Sequence, residues 1–300
     1  MNLRALRLFA AAAEHGSVSR AADAMHVTQS AVSKSVAALE SDLGVALLER
    51  APRGVRLTEA GAVLHAHSRV ILAAERAAEE EIASLRGLSG GSLHVGASTT
   101  IATYLLPPIL NAFQRQHPAI RLRVTSANTH DVATDLVDGV VDVALVEGPV
   151  HDPRIEVHAW REDELVVVAA VHHPLAADAP VSLDALAGEL FVLREVGSGT
   201  REVAEQALRE HGVVLTRTLE VGSTAAIKQT VAAGLGLAIV SLAAAADQLA
   251  LGRLRVVRVP EMRILRALTR LTMPGRRASP AARTFTDLLR GAAEGGRARP

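Results

Sequence analysis

The segment TQSAVSK, residues 28–34, gathers an amide, an amine and several hydroxyls within about two helical turns. At helical spacing Ser30, Ser33, Lys34 and Ala37 share one face, Gln29 flanks it in the first turn, and Val32, Val36 and Leu39 share the opposite face. Gln pairs bidentately with adenine, Lys reaches guanine, and Ser and Thr hydroxyls bond bases or phosphates. The polar face, with Thr28 at its head, therefore carries the chemistry of a major-groove reader. Downstream, ERAPRGVRLT places Arg50, Arg53 and Arg56 on a turn suited to clamping phosphates or a minor groove.

A second group of hydroxyls sits where strands give way to helices: Ser98-Thr99-Thr100, Ser198-Gly199-Thr200 and Ser223-Thr224, with Asn128-Thr129 as a fourth position. Unpaired N–H groups and the positive helix end make such places good anion sites, although Ser and Thr also serve there as ordinary caps. In open α/β sheets ligands gather beyond the carboxyl ends of the strands, where these loops would converge. Arg194, Arg201 and Lys228 are available to neutralise an anion or to lie on the surface. Glu147 would repel one, and reads as a hydrogen-bonding or rim residue.

These residues need elements to hold them. Thr28 is a good N-cap for a helix over Gln29–Leu43 with Gly44 as its stop. The preceding helix turns Val18, Ala22 and Met25 inward, and Val27 packs in the turn, giving a helix-turn-helix pattern. A long helix opens at Thr58-Glu59 and runs to about Leu85. Leu64, Ile71, Ala78 and Leu85 lie on one heptad track with Val63, Val70 and Ala77 alongside, which suits packing against a twin. GLSGG (87–91) ends it as a hinge.

Strands and helices then alternate. SLHVGA, IRLRVT and VDVALV form one βαβαβ set, with helices near 102–116 and 131–138. FVLRE, TLEVG and GLAIVS form a second, with helices near 200–211 and 224–233. Two such sets predict two open, mostly parallel sheets. IEVHAW and ELVVVAA between them, and RLRVVRV and RILRALTRLT after them, supply strands that cross between lobes. A last helix near 280–290 precedes a frayed GGRARP tail.

The composition limits what these elements can do. An apolar fraction of 49% fills sizeable cores, but one Trp, one Tyr and four Phe leave no aromatic platform for single-stranded nucleic acid. With no Cys, disulfides and thiolate metal sites are excluded. Net charge is zero, yet the first 57 residues carry seven basic and five acidic residues, and twelve Arg follow position 252 against three acidic residues. A nucleic-acid footprint must therefore be local. The N-terminal Ala run is broken by Glu14-His15 and follows helical spacing, so it reads as a core helix rather than an export signal, and no run reaches membrane-span length. A cytoplasmic chain is expected.

Other motifs fail on context. GSGT lacks the Gly-Lys-Ser/Thr of a phosphate loop, and GLSGG lies between helix and strand, the reverse of a nucleophile elbow. His65 and His67 diverge on a helix. No residue set forms a metal site or a catalytic constellation, and neither a cofactor nor an enzyme is expected.

The run FAAAAEHGSVSRAADAMHVTQSAVSKSVAALESDLGVALLERAPRGVRLTEAG resembles the N-terminal domain of LysR-type transcriptional regulators over residues 1–61. Ser30 departs from the pattern, since many members carry Pro there to pre-set the helix start. The resemblance implies an α/β chain overall: a winged helix-turn-helix over 1–58, a linker and dimerisation helix over 59–88, and a two-lobed effector-binding domain over 92–300. That domain would resemble type 2 periplasmic binding proteins, with lobe I at about 92–163 and 267–300 and lobe II at about 164–266.

It also implies a homodimer or homotetramer on partly palindromic double-stranded promoter DNA, contact with RNA polymerase, and a small effector held by Ser98, Thr99, Thr100, Asn128, Thr129, Ser198, Thr200 and Thr224. REVGSGTR and GSTAAIKQTVAAGLGLAIVS resemble a branch regulating carbon fixation and sulfur metabolism, implying a small anionic metabolite. The competing reading is a two-lobed cytoplasmic solute-binding protein without a regulatory role.

Overall fold

The structure is a computed structural model and describes residues 1–52, 54–85 and 90–295. Arg53, the Gly87–Ser89 part of the hinge and residues 296–300 of the tail lie outside the described residues, as does the side chain of Leu85. Two compact units result, one built from residues 1–86 with 138–140 and the other from 87–137 with 141–300.

The first unit begins with α1 (Leu3–His15), α2 (Val18–Ala24) and α3 (Gln29–Leu43). Asn2, Ser17 and Thr28 cap these helices, each accepting a hydrogen bond from a backbone N–H of the first turn. Gly44 stops α3 at φ 70°, a left-handed conformation that a side chain disfavours. Leu6, Phe9, Ala12, Ala21, Ala22, Val32, Val36 and Leu39 form the shared core. The stretch expected as a turn is a β-hairpin of β1 (Leu48–Ala51) and β2 (Gly54–Leu57), tied to the end of α1 by Val55 N donating to Gly16 O at 3.0 Å.

α4 (Glu59–Leu85) is the long helix read from the sequence. At its start Leu64 and Ile71 of the heptad track, with Ala60, pack partly against the core of their own domain. Among the described side chains of α4, the large apolar ones left exposed are Val63 and Ile82. Leu64 and Ile71 are only partly buried by that core.

The second unit runs β3 (Gly91–Ser98), α5 (Pro107–Gln116), β4 (Ile120–Ala127), α6 (Thr129–Val137), β5 (Val143–Glu147), β6 (Glu156–Ala170), α7 (Leu183–Ala187), β7 (Leu190–Leu193), α8 (Gly199–Glu210), β8 (Arg217–Glu220), α9 (Thr224–Ala232), β9 (Leu237–Ser241), α10 (Leu242–Ala250), β10 (Leu254–Val256), β11 (Ile264–Thr272) and α11 (Pro280–Gly295). The helix expected near 102–116 is divided, with a π-helical turn over Ile101–Leu105 before α5. Pro107 and Pro108 lack the N–H groups a continuous helix would need.

The two expected sheets are one. Among the described residues nine strands form a continuous sheet in the order β4-β3-β5-β11-β6-β9-β7-β8, with β10 also pairing β6. β3 runs parallel to β4 and β5, and β7 parallel to β8 and β9, as read from the sequence. The join is antiparallel: β11 pairs both β5 and β6, and β6 pairs β9. IEVHAW and ELVVVAA, expected as separate strands, form the single strand β6, long enough to serve both lobes.

Each lobe has its own core. Leu93, Val95, Phe113, Leu145 and Phe285 fill the first, where Phe113 and Phe285 meet edge to face at 5.2 Å. Leu165, Leu186, Phe191, Leu208, Leu237 and Ile264 fill the second, and Val168, Val192, Ile227, Val231 and Val240 cover the opposite face of its sheet.

Candidate nucleic-acid interface and ligand cleft

The packing of α3 fixes its outer face. Val32, Val36 and Leu39 are buried, which leaves Thr28, Gln29, Ser30, Ser33 and Lys34 exposed together at the N-terminal end of the helix. Thr28 Oγ1 accepts from Ala31 N at 3.2 Å and lies 3.0 Å from Ser30 Oγ, so both hydroxyls help cap the helix. The side chains of Gln29, Ser33 and Lys34 have no intramolecular hydrogen bond or ion pair among the described residues and present their full donor capacity outward.

The hairpin is aimed by a residue that sequence reasoning missed. Glu40 Oε1, from the last turn of α3, accepts from Leu47 N at 2.7 Å and Leu48 N at 3.1 Å, tying the entrance of β1 to the helix. Arg50 is exposed and unpaired among the described residues, whereas Arg56 is held by Glu49 at 2.7 Å across the hairpin. Arg53 lies outside the described residues.

In the second unit the hydroxyl segments converge beyond the strand ends, in three arrangements. At the centre is Glu147, the last residue of β5 and 1% exposed. Ser98 Oγ donates to its Oε2, Thr200 Oγ1 donates to its Oε1 at 3.2 Å, and Thr129 Oγ1 donates to its carbonyl oxygen at 2.9 Å. Arg266 stands beside this group, donating from Nη1 to Thr200 Oγ1 at 2.7 Å and from Nε to Asp163 Oδ2 at 2.8 Å. Its guanidinium is 3.8 Å from Glu147 Oε1, and Asp163 in turn accepts from Ser241 Oγ at 2.8 Å. Glu147 is thus a buried hydrogen-bonding residue, not a rim residue.

The second arrangement surrounds Arg194, at the end of β7 and 3% exposed. Its Nη2 donates to Thr99 Oγ1 at 3.2 Å and its Nη1 to Thr224 Oγ1 at 3.0 Å, so it spans from one lobe to the other. Nε and Nη2 also form a two-pronged pair with Glu195 at 2.8 and 2.7 Å. Partial burial raises the Glu195 carboxyl pKa, but the Arg194 hydrogen bonds outweigh it and hold the group below the ordinary carboxylate range.

The third is Lys228, one turn along α9 from Thr224 and equally buried. Its ammonium donates to Ala244 O and to Asp247 Oδ1 at 2.6 Å, and lies 4.6 Å from the Tyr104 ring of the opposite lobe. The hydrogen bond from Lys228 lowers the Asp247 pKa. Arg194 and Lys228, readable from sequence equally as surface residues, are therefore interior cations.

The remaining residues divide between capping and the cleft. Asn128 Oδ1 accepts from Asp131 N at 2.9 Å and acts as a helix cap. Ser198 and Thr100 are buried at helix starts without serving as side-chain caps, and Thr100 Oγ1 has no hydrogen-bond partner among the described residues. The loops carrying Asn128 and Ser198 meet, with His130 N donating to Gly197 O at 3.2 Å. Among the described residues no group of acidic and His side chains is arranged to hold a metal, and no helix is long and apolar enough to cross a membrane.

A helix-turn-helix with a hairpin wing, a long helix and a two-lobed α/β binding domain together define a ligand-responsive DNA-binding regulator. Comparison with known proteins places it more closely. Residues 3–62 match the bacterial regulatory helix-turn-helix protein of the lysR family, and residues 86–294 match the LysR substrate binding domain. The chain belongs to the LysR family of transcriptional regulators.

It is 37% identical to the RuBisCO operon transcriptional regulator of Allochromatium vinosum, over 96% of this chain and 95% of that protein. Among solved structures it resembles full-length CbnR complexed with its target DNA, at 26% identity and TM-score 0.69, covering 97% of this chain and all of that one. The regulatory domain of Synechocystis PCC6803 CcmR in complex with 2-PG matches at 28% identity and TM-score 0.63, covering 68% of this chain and 97% of that domain.

Proposed function

We propose that this regulator reads promoter DNA through Thr28, Gln29, Ser30, Ser33 and Lys34, with Arg50, Arg53 and Arg56 on phosphates, and that a small anionic metabolite between the lobes sets its output. The burial split of α3 carries the reading. Its apolar residues are used in the domain core, while Gln29, Ser33 and Lys34 project outward without partners among the described residues. A merely solvated helix face would not need base-reading side chains gathered at its N-terminal end. CbnR, a relative in fold, has been solved with its target DNA.

The effector site lies among Ser98, Thr99, Thr100, Asn128, Thr129, Ser198, Thr200 and Thr224, and the resemblance to a domain solved with 2-PG supports a small ligand there. Residues 1–58 serve DNA, 59–88 link, and 92–300 bind effector, with lobe I at about 92–163 and 267–300 and lobe II at about 164–266. The regulator works in the cytoplasm as a homodimer or homotetramer in contact with RNA polymerase, and acts by binding rather than catalysis. Effector binding shifts the lobe arrangement only as far as its affinities for the two arrangements differ.

The test is selection of a randomised duplex pool by the full-length protein at fixed salt, followed by footprinting with and without a panel of small anions. Partly palindromic sites with half-sites about one helical turn apart are expected. Absence of any enriched sequence removes the base-reading role. A saturating anion that leaves both footprint and DNA bend unchanged removes the effector mechanism.

A further inference from the structure

The hydroxyls of the cleft are not equally available to an anion. Ser98 and Thr200 already donate to the Glu147 carboxylate, and the Arg266 guanidinium is engaged by Asp163 and Thr200 beside it. A second anion there would meet a buried negative charge at close range, where repulsion is weakly screened.

The Arg194 and Lys228 arrangements differ in one respect. Both cations are 3% exposed, but the carboxylates that neutralise them stand at the edge: the side chain of Glu195 is 24% exposed and that of Asp247 58%. Thr224 Oγ1 accepts from Arg194, which leaves its own proton free to donate. Thr224 and Lys228 are four apart on α9, and therefore on one helix face with about 6 Å between their Cβ atoms. Both cations also face the same segment of the opposite lobe, Arg194 through Thr99 and Lys228 through the Tyr104 ring.

We propose that the effector is a small dianion whose two charged ends replace the carboxylates of Glu195 on Arg194 and Asp247 on Lys228, pulling both lobes onto one ligand. This rests on the anionic-effector reading above and sharpens it by moving the charge-binding positions from Ser98 and Thr200 to Arg194, Lys228, Thr99 and Thr224. Arg194 is bonded to Thr224, which stands one helical turn from Lys228 on α9, and cations placed in this way select a short ligand with an anionic group at each end, such as a dicarboxylate or a phosphorylated carboxylic acid. Glu195 and Asp247 act as resident occupants that the ligand must displace, and they set the threshold concentration for response.

The experiment measures binding of acetate, inorganic phosphate, succinate and 2-PG to the full-length protein by calorimetry, with thermal melts in parallel. Succinate or 2-PG is expected to bind where acetate and phosphate at equal concentration do not, and the preferred one of the two tells carboxylate from phosphate recognition. Arg194→Gln and Lys228→Gln each weaken that binding roughly tenfold or more. Glu195→Gln and Asp247→Asn alter edge positions that tolerate neutral amides, and they are expected to tighten it severalfold by removing the competitor.

Acetate or phosphate binding as well as the dianions overturns the two-ended assignment. Edge variants that leave affinity unchanged or lower it also overturn it, even should the buried-cation variants fail to fold. In both cases the anionic-effector reading survives. No binding by any of the four probes sinks that reading and this assignment together.

Discussion

Gly199 lies so close to Glu147 that a Cβ on it would sit 1.8 Å from the Glu147 carbonyl oxygen and 2.7 Å from Thr129 Oγ1. The contact docks the start of α8 against the end of β5, and Thr129 locks it by donating to that carbonyl while accepting from Gly199 N at 3.3 Å. The two lobes thus meet backbone to backbone here, beside the His130 N to Gly197 O bond. Gly199→Ala forces them apart there, and since the obstacle is main chain it has little room to yield. Overpacking of this kind costs about 1–3 kcal/mol. A melt of the variant should fall by roughly 2–4 °C for each kcal/mol, and a midpoint unchanged from wild type means the seam is looser than described.

Arg266 holds a different part of the same seam. One guanidinium serves Asp163 at 2.7 Å, Thr200 at 2.7 Å and Glu147 at 3.8 Å, and the side chains of all three charged residues are at most 6% exposed. Arg266→Gln leaves two buried carboxylates without their cation, a change that costs about 3–5 kcal/mol. The double variant with Asp163→Asn should recover part of that loss, because it removes one of the stranded charges. Urea unfolding of the two variants checks this, and equal midpoints for single and double variants would mean that Asp163 is not stranded by loss of the arginine.

Local elements were the most legible part of the sequence. Thr28, Gln29–Leu43 and Gly44 form cap, helix and stop as their residue types require, because cap and periodicity are contained in one short stretch. β6 was not legible as one strand. Its middle, Arg161-Glu162-Asp163, reads as a polar break, yet Asp163 pairs with Arg266 and Glu162 with Ala267 in the β11 ladder. The Asp163 charge within that break is neutralised by Arg266, a hundred residues away. For the same reason the Glu147, Arg194 and Lys228 environments were invisible: each depends on a side chain brought from another element. Leu64 and Ile71 were visible as an apolar track, but periodicity does not say which partner covers it.

His65 offers a pH readout for the N-terminal domain. Its ring meets Phe9 edge to face at 6.4 Å, Nε2 is buried without a hydrogen bond among the described residues, and burial first, then the Arg69 charge, lowers its pKa. A histidine with a lowered folded pKa keeps its full contribution above the ordinary value near 6.5 and loses it as pH falls toward the folded value. Stability of this domain should therefore decline from about pH 6.5 downward. The Glu195 and Asp247 carboxylates, lowered by their cations, begin to lose theirs only below about pH 4. Unfolding followed between pH 8 and 5 should show the histidine step alone, and His65→Gln should flatten it. A slope that persists in the variant assigns the step to another group.

The α3 face and the wing should separate under mutation because their chemistry differs. Lys34 and Gln29 are exposed and unpaired among the described residues at the N-terminal end of α3, and in the proposed role they would reach base edges. A good base contact is worth about 1–3 kcal/mol of discrimination, so Lys34→Ala and Gln29→Ala should flatten the preference for the selected site while largely sparing non-specific binding. Arg50 is exposed and unpaired among the described residues on the hairpin, and in the proposed role its charge would act on phosphates irrespective of sequence. Arg50→Ala should weaken all duplexes alike and lower the salt dependence by about one counterion. Arg56→Ala should do less, because Glu49 already neutralises that guanidinium at 2.7 Å. Titrations of the selected and a scrambled duplex at several salt concentrations check all four variants. Discrimination lost in Arg50→Ala but kept in Lys34→Ala would move base reading from the helix to the wing.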